Sequence, residues 1–252
     1  MSKITLKTPE QIEVMREGGR LLHEIRTKLA QAVKPGVSAM DIEELAVKLI
    51  SEADAKPSFK MVEGYSWATC INVNDGVVHG IPKKETVFAK GDVVSVDVGI
   101  FYKGLHTDAA TTVYLGDDPK ITKFLESGRR SLKAGIAKAT AGRKIGDITK
   151  AVFEVLSDSD IRPIWNLTGH GVGLELHEDP RIPNYPSNSR DEKREIVPGM
   201  TLAIEVMFTF GDGDMVLAKD GWTLRTKDAT IAALFEETVA VTDKGTLVLT
   251  RS

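Results

Sequence analysis

Cysteine is nearly absent from this 252-residue chain, and its scarcity limits the chemistry that the sequence can support. The single cysteine, Cys70, excludes an intrachain disulfide and any zinc site built from several thiolates. No stretch approaches about 18 uninterrupted apolar residues, so we expect no transmembrane helix. The first residues lack the apolar core of a secretory signal, and we therefore expect a cytoplasmic protein.

An excess of charge of one sign is also missing, because 33 basic residues stand against 36 acidic ones. Non-specific nucleic-acid binding favours a basic surplus or stripe, so we expect no nucleic-acid partner, and we expect no membrane association. The sequence contains no H-E-x-x-H, no G-x-S-x-G elbow, no Walker A sequence and no EF-hand loop. Zincin, serine-hydrolase, P-loop and EF-hand chemistry are therefore not indicated.

The residues that are present suggest the same order of elements twice: helix, break, helix and then strands. The first helix is predicted to begin at Thr8 and Pro9 and to end before Pro35 and Gly36. Further helices are predicted over residues 38–53, 121–139 and 147–157. The main predicted strands cover residues 68–73, 93–100, 110–115, 201–210 and 230–241.

The two halves, about 8–115 and 120–250, also share details of spacing. Five residues separate Gly36 from Asp41 at the start of one helix, and five separate Gly142 from Asp147 at the start of another. We interpret residues 1–252 as a single domain, in which two diverged copies share one central sheet.

Three acidic residues lie inside apolar, strand-like runs: Asp97, Glu205 and Glu236. Burying an ionised carboxylate is costly unless a partner compensates its charge. One such acid is commonly a solvent-facing residue on a half-exposed strand, but three in three such runs favour a buried site. Asp108 lies eleven residues after Asp97, across a predicted hairpin through residues 101–104, which would bring both aspartates near a common point.

The histidines divide into two groups. His170 stands between two glycines, which allow a close approach of backbone and ligand, and His177 and His79 lie in similar turn-like segments. His23, on the first helix, is interpreted as structural, and His106 could be structural or functional. Four carboxylates with one imidazole form a hard, oxygen-rich ligand set. Such a set suits a pair of Mn, Fe, Co or Zn ions, which can activate a water for hydrolysis.

The order and spacing of these residues resemble the five metal ligands of the type I methionine aminopeptidases and their pita-bread-fold relatives. Further motifs support the resemblance: the helix opening at Thr8, the turn from His79 to Pro82, and the segments that contain Trp222 and Glu236. The resemblance implies an α+β pita-bread fold. In that fold a central, mainly antiparallel sheet is flanked by two pairs of helices with pseudo-twofold symmetry.

The resemblance also implies the role of each site residue. Two divalent ions would be held by Asp97, Asp108, His170, Glu205 and Glu236. Glu205 would in addition handle the proton of the attacking water. His177 would hydrogen-bond the scissile carbonyl, and His79 would meet the amide nitrogen or the substrate backbone. The methionine side chain would be bound by Phe59, Tyr65, Cys70 and Trp222.

The implied activity is metal-dependent removal of N-terminal methionine from nascent proteins and peptides with a small second residue. The implied cofactors are two ions of Co, Mn, Fe or Zn. The substrate also suggests association with the ribosome, and the absence of an extra domain suggests a monomer.

Several residues depart from the usual pattern of methionine aminopeptidases. Leu176 stands where phenylalanine is usual, Val62 and Glu63 replace a Tyr-His pair, and Glu237 replaces a histidine. These changes leave two alternatives open: an Xaa-Pro aminopeptidase or dipeptidase on the same fold, and a non-enzymatic binding protein. The second alternative is disfavoured because such proteins tend to lose metal ligands, whereas this chain keeps all five.

Overall fold

The structure, a computed structural model, describes residues 4–251. Residues 1–3, on which the expectation of no secretory signal partly rests, and residue 252 lie outside the described residues. Within that range four α-helices form two pairs: α1 (Pro9–Ala32) with α2 (Ala39–Glu52), and α3 (Pro119–Ile136) with α4 (Ile145–Ser157). No helix among the described residues is long and apolar enough to cross a membrane.

The strands are numbered in chain order, and every pairing between them is antiparallel. Their bounds are β1 Lys56–Pro57, β2 Thr69–Val73, β3 Gly76–Val78, β4 Val93–Tyr102, β5 Leu105–Tyr114, β6 Arg162–Pro163, β7 Thr168–Gly171, β8 Glu178–Pro183, β9 Thr201–Thr209, β10 Met215–Leu217, β11 Leu224–Thr226, β12 Ala232–Thr242 and β13 Gly245–Val248. Strand β4 pairs with β5 on one side and with β2 and β1 on the other. A second sheet has the order β13-β12-β9-β7-β8, and β10-β11-β3 form a third.

The first two helices begin where their capping residues predict. The Thr8 hydroxyl accepts a hydrogen bond from the Gln11 amide at 3.2 Å, and the Gln11 side chain accepts one from the Thr8 amide at 2.9 Å. Ser38 and Asp41 form the same reciprocal pair at the start of α2. Because each box satisfies amides that a helix start leaves unpaired, it fixes the residue at which the helix begins.

Strand β5 begins earlier than the sequence predicts, and the prediction of residues 110–115 was wrong at both ends. The strand starts at Leu105 and includes His106, Thr107 and Asp108. Those polar residues are typical of a turn, but distant segments hold two of them: the His106 Nδ1 lies 2.9 Å from the Ser58 hydroxyl, and the Asp108 amide donates to the Thr238 hydroxyl. Helix α3 likewise ends at Ile136 rather than at residue 139.

The two halves enclose separate cores. Helix α1 packs against β4 and β5, α2 packs against α1, β1 and β2, and their apolar faces enclose Leu22, Ile42 and Val96. Helix α3 packs against β9 and β12, and α4 packs against α3, β6 and β8, around a core that includes Phe124 and Ile204. The two larger sheets meet where β5 lies beside β12, so that residues from both halves can reach one point between them.

Candidate metal centre

Asp97 and Asp108 project from the β4–β5 hairpin toward the same side. In the register of the hairpin Asp97 lies opposite Ala110, and Asp108 lies opposite Gly99. Because residues two apart on a strand share a face, the two aspartates are diagonal neighbours on one face of the sheet. The predicted hairpin is confirmed, with its tip at Lys103 and Gly104.

The second half supplies three more candidate ligands. Glu205 on β9 and Glu236 on β12 lie directly opposite each other in an antiparallel pair. His170 on β7 pairs with Ala203 of β9, and its Nε2 lies 3.8 Å from Glu205 Oε1. Ligand atoms of Asp108, His170 and Glu236 all lie within 4.8 Å of one another. The seam between the two sheets therefore brings all five residues predicted as metal ligands to one place.

The glycines beside His170 let β7 approach its neighbours closely. A Cβ at Gly169 would lie 2.6 Å from the Ala203 carbonyl oxygen, and one at Gly171 would collide with the Asp179 carbonyl oxygen. The His170 Nδ1–H donates to the Gly171 carbonyl oxygen at 2.8 Å. That hydrogen bond leaves the Nε2 lone pair directed at the carboxylates, which is the tautomer a metal ligand needs.

The carboxylates of the site strongly disfavour being charged together. Burial, followed by the charge of Asp108, raises the pKa of Glu205 to about 8, and burial raises the pKa of Asp108 to about 7. Burial and the neighbouring acids raise the pKa values of Asp97 and Glu236 well above their usual range.

Two further observations test whether the site fits a cation. The Asp97 Oδ1 is buried and has no hydrogen-bond partner in the described structure. Burial also lowers the pKa of His170 to about 3, so that its imidazole is neutral near pH 7. Four crowded carboxylates, one of them with an orphaned oxygen, and a neutral imidazole form a donor set that a divalent cation would satisfy.

A single cavity contacts every residue predicted for the site. It is lined by Phe59, Tyr65, Cys70, His79, Asp97, Asp108, His170, His177, Glu205, Trp222 and Glu236. Val62, Val78 and Leu176 complete the lining. The acids and His170 stand at one end of this cavity, and apolar side chains form the other.

The apolar end is a compact aromatic cluster. Phe59, Tyr65, Cys70 and Leu176 are buried against one another, and Trp222 packs on them. The Tyr65 and Trp222 rings meet edge to face with centroids 5.1 Å apart. The Tyr65 hydroxyl donates to the Thr69 carbonyl oxygen at 2.9 Å, so the polar tip of this ring is satisfied outside the pocket.

His79 and His177 stand at the mouth of the cavity, where both side chains are exposed. The backbone of His79 has a φ of 58°, a left-handed conformation uncommon for a residue with a side chain, and its ring lies 6.4 Å from that of Trp222. The His177 and His170 rings are 4.6 Å apart, and desolvation followed by the charge of Arg181 lowers the pKa of His177.

The structure resolves the role of His106, which the sequence leaves open. His106 is buried against the Phe101 ring, hydrogen-bonds Ser58, and has a pKa that burial lowers to about 4. It does not line the cavity, so its role is structural.

An adjoining cleft was missed by the sequence analysis. It shares Val78, His79, His170, His177 and Glu205 with the first cavity and is otherwise lined by Asn166, Leu167, Thr168, Glu178, Asp179, Arg181 and Met207. The signal for some of these residues lay in the sequence. Leu167 and Thr168 come just before the Gly-His-Gly segment, and Met207 follows Glu205 by two residues on the same strand face.

Comparisons with known proteins agree with this geometry. The profile of metallopeptidase family M24 matches residues 13–243. A methionine aminopeptidase from Aquifex aeolicus is 41% identical over 98% of both chains. One from Bacillus subtilis is 37% identical over 98% of this chain and 99% of its own length.

Solved structures match the architecture as well. The methionine aminopeptidase of Thermotoga maritima superposes with a TM-score of 0.95 and 39% identity, over 99% of this chain and all of its own. The prolidase of Pyrococcus furiosus, at 22% identity and a TM-score of 0.77, covers 98% of this chain and shares the fold alone. The predicted α+β pita-bread fold is thereby confirmed. By full-length sequence and structural similarity, the chain belongs to metallopeptidase family M24 and, within it, to the methionine aminopeptidases.

Proposed function

We propose that this chain removes the N-terminal methionine from peptides and nascent proteins whose second residue is small. The observation that carries the proposal is one cavity that joins a buried Asp/His/Glu cluster to an apolar pocket. Such a cavity can hold the first side chain of a peptide while its first peptide bond lies over the acids. Full-length relatives named methionine aminopeptidase support the same reaction.

Membership of metallopeptidase family M24 implies that the protein uses divalent metal. We propose two ions, which Asp97, Asp108, His170, Glu205 and Glu236 would hold. Divalent ions bound there would polarise the scissile carbonyl and would make water a better nucleophile near neutral pH. The proposal accounts for four carboxylates whose pKa values burial raises when no cation is present.

The side chains around this point have distinct tasks in the proposed reaction. The Glu205 carboxylate, in contact with His170, takes the proton of the attacking water and can pass it to the leaving amine. A neutral His177 donates a hydrogen bond to the carbonyl oxygen as negative charge develops there. His79, across the mouth of the cavity, contacts the amide nitrogen or the substrate backbone.

The substrate preference follows from the two cavities. The unbranched methionine side chain fits the pocket of Phe59, Tyr65, Cys70 and Trp222, because an aromatic wall accepts a flexible thioether well. The second residue of the peptide enters the adjoining cleft, which Leu167 and Met207 line, and its small size is what the likeness to methionine aminopeptidases implies. Activity on nascent chains in the cytoplasm, association with the ribosome and a monomeric state remain predictions.

A peptide panel tests this function. We expect kcat/KM for Met-Ala-Ser, measured with Mn or Co, to exceed that for Leu-Ala-Ser by at least about tenfold. Met-Lys-Ser should be nearly inert, because the second side chain is too large. Faster cleavage of Ala-Pro-Ser than of Met-Ala-Ser would identify a proline-selective enzyme and overturn the proposal.

A further inference from the structure

A buried charged cluster lies behind the metal centre, on the face of β12 opposite to Glu236. Arg26 of α1 is 7% exposed and Glu237 is 5% exposed. The Arg26 Nη2 lies 3.2 Å from Glu237 Oε1, and the Arg251 Nε lies 2.9 Å from the same oxygen. None of these residues lines the catalytic cavity, and the proposed reaction does not use them.

The guanidinium of Arg26 does more than pair with Glu237. Its Nη1 donates to the carbonyl oxygen of Glu236 at 2.9 Å and reaches that of Ala110 at 3.5 Å. Its Nη2 donates to the Thr250 carbonyl oxygen at 3.0 Å. One side chain therefore ties together α1, β5, β12 and the C-terminal segment.

The position of these contacts follows a regular pattern along the seam between β5 and β12. The Thr238 hydroxyl accepts from the Asp108 amide at 3.0 Å and donates to the Asp108 carbonyl oxygen at 2.7 Å. The Thr112 hydroxyl bonds both the amide and the carbonyl oxygen of Leu234 in the same way, at 3.1 and 2.7 Å. Side chains thus bridge the seam at three successive places: Asp108 to Thr238, Ala110 to Glu236 through Arg26, and Thr112 to Leu234.

We propose that Arg26 is a positioning residue for the metal centre. Its contacts set the separation of β5 and β12 so that Asp108 and Glu236 can contribute to the same metal centre. This inference rests on the proposed function. A planar guanidinium presents five N–H donors in a fixed fork that can serve widely separated acceptors, whereas the three donors of an ammonium group radiate from one nitrogen. Glu237 is then the counter-ion that allows Arg26 to be buried, which gives a physical reason for an acid at a position where the family usually has histidine.

The experiment separates positioning from simple stabilisation by replacing the ion pair as a unit. In Arg26→Met/Glu237→Met both charges are removed, and exchange of a buried ion pair for apolar residues is commonly neutral for stability. Arg251→Gln is the matched control, because Arg251 contacts the same Glu237 oxygen but not the carbonyl of Glu236. Metal-free protein is titrated with Co(II) by calorimetry, and Tm, kcat and KM are measured for each variant.

We expect the double variant to keep a Tm close to that of the parent but to bind its more weakly held Co(II) ion at least about tenfold less tightly, the scale of outer-shell effects on metal sites. Its kcat should fall while KM changes little, and Arg251→Gln should bind metal normally. Parental metal affinity in the double variant would overturn the inference, as would an equal loss of affinity in Arg251→Gln.

A second variant keeps the test decisive if the double variant does not fold. Arg26→Lys retains a positive charge beside Glu237, but a single ammonium nitrogen cannot reach all of the carbonyl oxygens that the guanidinium contacts. The same loss of Co(II) affinity is therefore expected. Parental Co(II) affinity in this variant would overturn the inference. If the parent protein itself binds no metal, the proposed function fails. If the parent and the variants bind metal alike, only the role of Arg26 fails.

Discussion

The Lys7 ammonium group and the Glu178 carboxylate form a buried ion pair that ties the N-terminal segment to the loop carrying His177. Lys7 precedes α1 and lies against Gly173, where a Cβ would collide with its side chain. Its Nζ also donates to the Thr5 carbonyl oxygen at 3.1 Å. Since Glu178 directly follows His177, the pair holds the backbone from which the His177 ring projects.

Breaking this pair should therefore impair catalysis as well as stability. We expect Lys7→Met to lower the free energy of unfolding by about 3–5 kcal/mol, since it leaves a buried carboxylate unpaired. At a temperature well below its Tm the variant should keep its metal but lose roughly tenfold or more in kcat, because His177 is less well placed. Lys103→Met is the control: Lys103 pairs with Glu17 on the surface, where its side chain is 56% exposed, and the change should have almost no effect. Unchanged kcat in Lys7→Met would show that the pair only stabilises the fold.

Removal of the His177 imidazole separates catalysis from metal binding. We expect His177→Ala to retain its metal and to lose roughly 10²–10³ in kcat, the usual effect of removing one donor to a developing oxyanion. Metal content by mass spectrometry and steady-state kinetics on Met-Ala-Ser measure the two properties. A variant stripped of metal would show that His177 is a ligand.

Substitution of the acids in the centre should remove metal and activity together. Asp97→Ala deletes the carboxylate whose Oδ1 has no hydrogen-bond partner in the described structure. Glu236→Ala deletes a carboxylate with an oxygen within 4.8 Å of candidate ligand atoms of Asp108 and His170. Each change should lower kcat/KM by at least about 10³, the scale on which a metal ion supplies several kcal/mol to a transition state. Half of the parental activity with full metal content would contradict the assignment.

The sequence predicted these acids because each interrupts an apolar run in its own strand, a local pattern that needs no knowledge of the fold. It could not predict the pairs that support them. Lys7 lies 171 residues from Glu178, and Arg26 lies 211 residues from Glu237. Each of these residues, taken alone, has the appearance of an ordinary charged surface residue.

Strand β5 shows the same limit within a single element. Residues 106–108 near its start are polar, and distant parts of the chain hold two of them: the Ser58 hydroxyl lies against the His106 ring, and the Thr238 hydroxyl accepts from the Asp108 amide. Local patterns therefore predicted Asp97, Glu205 and Glu236 as candidate ligands, whereas the contacts that orient such side chains depend on tertiary pairing.

The free energy of unfolding of the metal-free protein should fall as the pH rises above neutrality. Burial raises the folded-state pKa of Glu205 to about 8 and that of Asp108 to about 7, both above the values expected in the unfolded chain. The folded state therefore binds more protons, and stability that is full at low pH is lost as the pH rises through these values. His170, with its pKa lowered to about 3, acts in the opposite direction, but only below about pH 6.5 where the unfolded histidine titrates.

Between about pH 6.5 and 8 only the carboxylate effect remains. We expect the free energy of unfolding of metal-free protein to fall across this window by about 1.4 kcal/mol per pH unit for each proton that the folded state binds and the unfolded state does not. Urea denaturation at several pH values measures it, and saturating Mn(II) should abolish the trend by keeping the acids ionised. A flat profile without metal would mean that the acids are not crowded as the structure describes.

The substrate pocket offers the final prediction, which concerns Leu176. This side chain is 7% exposed and packs with Phe59, Tyr65 and Cys70 at the apolar end of the cavity. Leu176→Phe would restore the aromatic residue usual in methionine aminopeptidases and reduce the free volume beside the methionine side chain. Leu176→Ala would enlarge the pocket.

Since one methylene in such a pocket is worth only about 1–3 kcal/mol, the two substitutions should shift selectivity in opposite directions by roughly tenfold. We expect Leu176→Ala to raise KM for Met-Ala-Ser and to narrow the ratio of kcat/KM between Met-Ala-Ser and Phe-Ala-Ser, while Leu176→Phe widens the ratio between Met-Ala-Ser and Leu-Ala-Ser. Leu217→Ala, at a position that is 60% exposed, is the control for loss of an equal number of methyl groups. If both Leu176 variants keep the parental ratios, the methionine side chain does not contact this wall, and the pocket must be assigned elsewhere in the cavity.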